Sequence, residues 1–270
     1  GADREHLLSQ SDSQPHWIQE TIDSTILRGR GAQGEGEDGF SHTAIEARLQ
    51  QPRDAMPESD ERDLPPLGAQ DYSETQDWPS YFGAVLGKGP RATLTTALDS
   101  FTREGVADGL AVDVAAGEGR DTLELLQRGW RVVATDFHAE AFAHLWPRVP
   151  ESQKQLLTAL QVSFEETHIP PCDLVNASYA FPFCEPRHFG GLWDRVVAAI
   201  RPGGRLAGQF FGKEDSWAAL PGRTHHDRDE IMQLLEGFQI EMMEVEEADD
   251  TPDVRNPKHW QLFHVVAKKL

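Results

Sequence analysis

Cysteine is nearly missing from this chain: Cys172 and Cys184 are the only two in 270 residues. Two thiols cannot build a disulfide framework or a four-ligand structural zinc site, so a reducing, cytoplasmic setting is expected and no metal is implied. No stretch approaches the ~18 consecutive apolar residues of a bilayer span, and the first residues carry no apolar signal core, so no membrane association is expected. Basic residues are scarce as well, 25 Lys+Arg against 45 Asp+Glu, for a net charge of -20. Such a field repels a phosphate backbone unless Lys and Arg cluster locally. No cluster is visible, which argues against nucleic acid as a partner.

The acidity is uneven. Residues 1 to 75 hold 16 Asp+Glu, 6 Arg and no Lys, and so supply -10 of the total. This tract includes the glycine-rich stretch from Gly29 to Gly39 and the charged, proline-bearing stretch from Pro52 to Pro66, a composition that does not by itself build a core. Two segments depart from it: Trp17, Ile18, Ile22 and Ile26 recur at helical spacing, and Thr43 to Glu46 matches a capping box. The expected organisation is an acidic extension over 1-77 followed by a folded domain over 78-270. The extension either packs on the domain or a neighbouring subunit, or covers the substrate pocket. A homodimer is left open.

The folded domain is organised around Leu110 to Asp136, LAVDVAAGEGRDTLELLQRGWRVVATD. An apolar run breaks into the small-residue loop Ala115-Ala116-Gly117-Glu118-Gly119 and then into a helical pattern from Arg120 to Arg128. Gly129 closes that helix, and a β-branched run ends on Asp136. This is one βαβ unit with a carboxylate at the tip of its second strand, the place where doubly wound sheets bind nucleotide-like ligands. A dinucleotide would want a third glycine where Thr122 stands. It would also meet repulsion from Asp113, Glu118 and Asp121. S-adenosylmethionine (SAM) carries no phosphate, and its methionine end bears an ammonium and a sulfonium, which suits an acidic loop.

VDVAAGEGRDT followed by VVATD resembles motifs I and II of the class I SAM-dependent methyltransferases, and within them bacterial small-molecule and tellurite-resistance-type enzymes. The resemblance covers about 190 residues. It implies an α/β, Rossmann-like, doubly wound sheet of seven strands, six parallel and the last antiparallel. It further implies SAM as cofactor and a small-molecule methyl acceptor. The alternatives are a protein- or peptide-directed methyltransferase and a SAM-binding module without activity. By the same resemblance, Ala115, Gly117 and Gly119 form the loop beneath the cofactor. Asp113 lies near its amino-acid end, Asp136 lies at the ribose, its neighbour Phe137 also contacts the cofactor, and Phe164 and Glu165 lie at the adenine. Arg91 or Tyr81 reaches the methionine carboxylate. Gly119 is expected to permit close approach of the ligand, and Asp136 to carry no core packing.

Cys172 to Ala177 reads as the fourth strand, running into the aromatic segment Ser178-Tyr-Ala-Phe-Pro-Phe183. Asn176 and Ala177 faintly resemble the start of the N-P-P-Y signature of amino-directed methyltransferases. Both prolines are absent, so they are kept only as backbone and amide contacts to the cofactor. Tyr179, Phe181, Phe183 and Trp217 are expected to shape the acceptor pocket. His225, beside His226, and Tyr179 are the candidates for a general base, which a pre-activated methyl donor makes optional.

Overall fold

A computed structural model describes residues 69-250 and 258-270. The helical spacing at Trp17 to Ile26 and the capping box at Thr43 to Glu46 lie outside the described residues.

Seven strands form one sheet: β1 (Leu110–Val114), β2 (Arg131–Asp136), β3 (Leu157–Gln161), β4 (Cys172–Ala177), β5 (Ile200–Phe211), β6 (Phe238–Asp250) and β7 (Lys258–Lys269). Their order is β3-β2-β1-β4-β5-β7-β6. The first five pair in parallel, and β7 runs antiparallel between β5 and β6. Six strands therefore share one direction and β7 opposes them, as the resemblance implied. β1 is buried along its whole length because helices cover both faces of the sheet. The α3 (Ala92–Arg103), α4 (Arg120–Gln127) and α5 (Ala139–Leu145) helices bury Leu94, Leu98, Leu125, Leu126 and Leu145 on one face. On the other, α6 (Pro186–Ala199) and α7 (Arg228–Leu234) contribute Leu192, Trp193, Val196 and Ile231.

Strand order reverses between β1 and β4, so chain connections leave the sheet in opposite directions there and open a crevice at the strands' carboxyl ends. Two further helices roof that crevice, α1 (Ala69–Thr75) and α2 (Trp78–Val85). Asp77 caps α2 through a bond from the Ser80 N–H, and Pro79 sits in its first turn, where its missing N–H costs nothing. The Arg223 guanidinium donates to the carbonyls of Ser73 and Glu74, tying α1 to the loop after β5. The described fold thus includes a helix upstream of the boundary expected at Trp78.

The apolar run from Leu156 to Phe164 predicts a third strand of that length, and the strand formed is shorter. β3 stops at Gln161, and Phe164 falls in the turn that follows. Asp136 O accepts from the Val162 N–H and ends the ladder. Apolar side chains placed around that turn mimic a strand because they line the crevice wall.

Candidate active site

A single cavity of about 650 Å³ runs along the carboxyl ends of the strands beneath α1 and α2, a size typical of small-ligand sites. At one end lies the glycine loop. Ala115 is held at φ 53°, Gly117 at 58° and Gly119 at 89°, a left-handed alternation that turns the chain sharply between β1 and α4. A non-glycine residue at positive φ is costly, and such strain collects at ligand sites. Asp136 stabilises the turn, its two oxygens accepting from the Gly117 and His138 N–H groups at 2.9 Å each. The residue is buried, and burial pushes its carboxyl upward against the opposing effect of those two donors. It lines the cavity as expected. It also carries structure, contrary to the expectation of no core role.

Beneath the loop lies a buried acidic network. Asp113 accepts from the Thr122 hydroxyl at 2.6 Å and from the Asn176 amide at 2.8 Å. The same amide donates to Asp121 at 3.0 Å, and Asp121 accepts the Arg91 backbone N–H at 2.8 Å. Burial, and next the neighbouring Asp121 charge, push Asp113 up to about 7. Since the folded-state value lies above the ordinary 3.8, the folded protein holds this proton more tightly than the unfolded chain does. The stability it contributes is complete near pH 4 and is lost as pH rises toward 7. Denaturant titrations between pH 4 and 7 should show this decline, and Asp113→Asn should flatten it; an unchanged slope would remove Asp113 as its source.

Most residues proposed from the sequence converge on the cavity: Arg91, Asp113, Ala115, Gly117, Asp136, Phe137, Phe164, Glu165, Tyr179, Phe183 and Trp217 all line it. The Arg91 guanidinium lies 4.4 Å from the Tyr179 ring centre. Glu165 sits 3.3 Å from His188 Nε2, and its carboxyl is held below the usual range first by its own backbone N–H and then by Ser163.

Five do not face the cavity. A Cβ on Gly119 would lie 2.5 Å from Leu145 Cδ1, so this glycine accommodates α5 rather than a ligand. The Asn176 amide is wholly engaged beneath the loop by Asp113, Asp121 and Ser178, and Ala177 is buried in the sheet. Phe181 stacks on Phe210 with centroids 5.1 Å apart, inside the core. His225 packs 5.8 Å from Phe211 outside the cavity; burial lowers its pKa, and its buried Nε2 has no hydrogen-bond partner among the described residues. That position removes it as the general base. Cys172 and Cys184 are both pushed up to about 12 by burial and remain inert thiols.

The opposite end of the cavity is aromatic, and sequence reasoning found only part of it. Trp78 meets Phe183 edge to face at 4.6 Å, and Trp217 meets Trp260 at 5.1 Å. In the sequence Trp260 is one member of the alternation Trp260, Leu262, His264, Val266, which predicts a strand and nothing more. Its position at the cavity depends on β7 inserting beside β5, a pairing between distant segments that local pattern does not reveal. Behind these rings the Lys258 ammonium lies 4.1 Å from the Trp260 centroid and is paired with buried Asp215. Asp215 also accepts the N–H groups of Trp217 and Gln261, so one carboxylate sets the aromatic wall.

Residues 111–204 match the family model described as a methyltransferase domain. Among solved structures, TehB from Haemophilus influenzae superposes with a TM-score of 0.57 at 14% identity, over 72% of this chain and 67% of that one. Magnesium protoporphyrin IX methyltransferase (ChlM) from Synechocystis PCC 6803, with bound SAH, gives 0.55 at 14% identity, over 74% and 97%. The 1,6-didemethyltoxoflavin-N1-methyltransferase of Burkholderia thailandensis gives 0.51 at 19% identity, over 77% and 92%. No curated relative matches the sequence. Residues 111–204 thus match a methyltransferase domain, and the chain shares its fold with these methyltransferases.

Proposed function

We propose that this protein transfers the methyl group of SAM to a small-molecule acceptor, with the cofactor at the glycine-loop end of the cavity and the acceptor at the aromatic end. The observation that carries the reading is the continuity of one cavity from the loop and Asp136 to the tryptophan wall. The residues present fit the cofactor. Asp136 keeps lone pairs free for ribose hydroxyls after accepting two N–H groups. Phe137 is an exposed ring beside it, while Asp121, also on the cavity, offers a carboxylate to an ammonium.

Bound SAM supplies a methyl already activated by its positive sulfur. The chain then needs chiefly to align the acceptor and keep water out. Arg91, fixed by its backbone bond to Asp121 and by the Tyr179 ring, is placed to receive a carboxylate. Residues of α1 and α2 roof the cavity, and its volume of about 650 Å³ suits a small molecule.

Melting curves with SAM, S-adenosylhomocysteine and NADPH test the cofactor assignment, because ligand at ~100 times its dissociation constant adds ~2.7 kcal/mol of stability. The first two should raise the melting temperature and NADPH should not. Stabilisation by NADPH alone would overturn the reading.

A further inference from the structure

One carboxylate in the acceptor half has no part in holding the cofactor. Glu246 stands on β6 directly opposite Leu262 of β7, and Leu262 opposes Phe211 of β5, so all three share one sheet face. All three line the cavity. His264 lies two residues beyond Leu262 on that same face, with Nε2 2.9 Å from Glu246 Oε2. A carboxylate can only accept, so the imidazole donates from Nε2. Glu185, which also lines the cavity, is tied to Arg187 at 2.7 Å. Among the described residues Glu246 has no Lys or Arg partner. Its side chain is 53% exposed, so it can pass a proton on to water. The Tyr179 phenol, where the charges of Arg91 and Glu246 act in opposite senses, is pushed up by burial and stays protonated.

We infer that Glu246 takes the proton of a protic acceptor, an O–H or N–H group on a flat, uncharged ring compound seated against the aromatic wall, and that His264 is its positioning residue. The inference rests on the methyltransferase reading. The edge-to-face rings around Trp78, Phe183, Trp217 and Trp260 favour a planar partner. Net charge on that partner is disfavoured on both sides. Glu246 opposes an anion, while Arg91 and Lys258 already occupy the faces of Tyr179 and Trp260 where a cation would sit. The acceptor's lone pair forms a bond to the methyl carbon as the methyl–sulfur bond breaks, leaving that electron pair on sulfur. The O–H or N–H proton passes to the Glu246 carboxylate.

The test uses the full chain with 2-naphthol, 2-naphthylamine and 2-naphthalenethiol as probes and S-adenosylhomocysteine formation as readout. Wild type should methylate at least one of the first two. Glu246→Gln should lower kcat for that probe by about 100-fold, while leaving affinity for S-adenosylhomocysteine unchanged and not lowering turnover of the thiol, which is already ionised in mild base and is repelled by the carboxylate. His264→Ala should lower the same kcat and His264→Gln, which keeps a donor near Nε2, should restore it. A second readout needs no turnover. 2-Naphthol becomes a strong acid when excited, so its complex with S-adenosylhomocysteine-loaded wild type should emit as naphtholate, and its complex with loaded Glu246→Gln as neutral naphthol. Equal losses with oxygen or nitrogen probes and the thiol, no loss at all, identical emission, or no methylation of any probe by protein that binds S-adenosylhomocysteine would each overturn the inference. Failure to bind S-adenosylhomocysteine would instead overturn the methyltransferase reading beneath it.

Discussion

Asp136→Ala should weaken S-adenosylhomocysteine binding by at least tenfold and should also lower the melting temperature of the free protein. The binding loss follows from removing an ionised acceptor at the proposed ribose position, where each charge-assisted hydrogen bond is worth ~1.5 to 3 kcal/mol before solvent compensation. The stability loss follows from geometry. The carboxylate accepts the Gly117 and His138 N–H groups at 2.9 Å each, and alanine leaves both without that partner. An unsatisfied buried donor costs ~1 to 3 kcal/mol, so a decline of a few kcal/mol is expected if water reaches neither group. Asp136→Asn offers one oxygen and turns an amide N–H₂ toward the other donor. Its loss of affinity should therefore fall between wild type and alanine, while its loss of stability should approach that of alanine. Calorimetric titration together with thermal melting separates the two effects. Equal affinity in wild type and Asp136→Ala would sink the ribose assignment, and an unchanged melting temperature would show the two N–H contacts to be dispensable.

The double duty of Asp136 illustrates what could be read from the chain and what could not. The βαβ unit, its glycine loop and its terminal carboxylate are contiguous in sequence, so spacing and chemical type sufficed to place them. The alternation of Trp260, Leu262, His264 and Val266 likewise predicts the strand that forms β7, and the turn Arg201-Pro-Gly-Gly204 predicts a strand from Arg205, where the paired run of β5 begins. Misplaced residues share a different property, since their environment is set by segments far away. Asn176 reads as a ligand contact because it opens a segment resembling the N-P-P-Y signature, yet Asp113 and Asp121, 63 and 55 positions away, absorb its amide. Phe181 and Phe183 lie two residues apart in the same aromatic stretch. A short helical turn at Phe181–Phe183 sends the first into the core against Phe210 and leaves the second at the cavity. Glu246 had no local signal whatever: it is one of several acidic residues on β6, and only the antiparallel register against β7 brings it beside His264.

Gly119→Val should cost the fold more than it costs the ligand. At φ 89° a β-branched side chain is strained by ~1 to 3 kcal/mol whatever surrounds it. The added Cβ would also sit 2.5 Å from Leu145 Cδ1 and 3.1 Å from Leu145 Cβ, an overlap that forces α5 away from the loop. Overpacking of this kind costs a further ~1 to 3 kcal/mol. For a domain of this size a total of about 3 kcal/mol lowers the melting temperature by roughly 6 to 12 °C. Protein that remains folded at low temperature should still bind S-adenosylhomocysteine, because Gly119 does not line the cavity. Adding Leu145→Ala should return part of the lost stability by making room for the new methyls. The double mutant should then be less destabilised than the two single changes predict together. Gly117→Val provides the contrast. That glycine, at φ 58°, lines the cavity and its Cβ would meet only the Phe82 ring at 3.5 Å, so its backbone strain should come with a loss of binding. If Gly119→Val instead kept its melting temperature and lost the ligand, the contact with Leu145 would not be what demands glycine at this position, and the loop would have to approach the cofactor there after all.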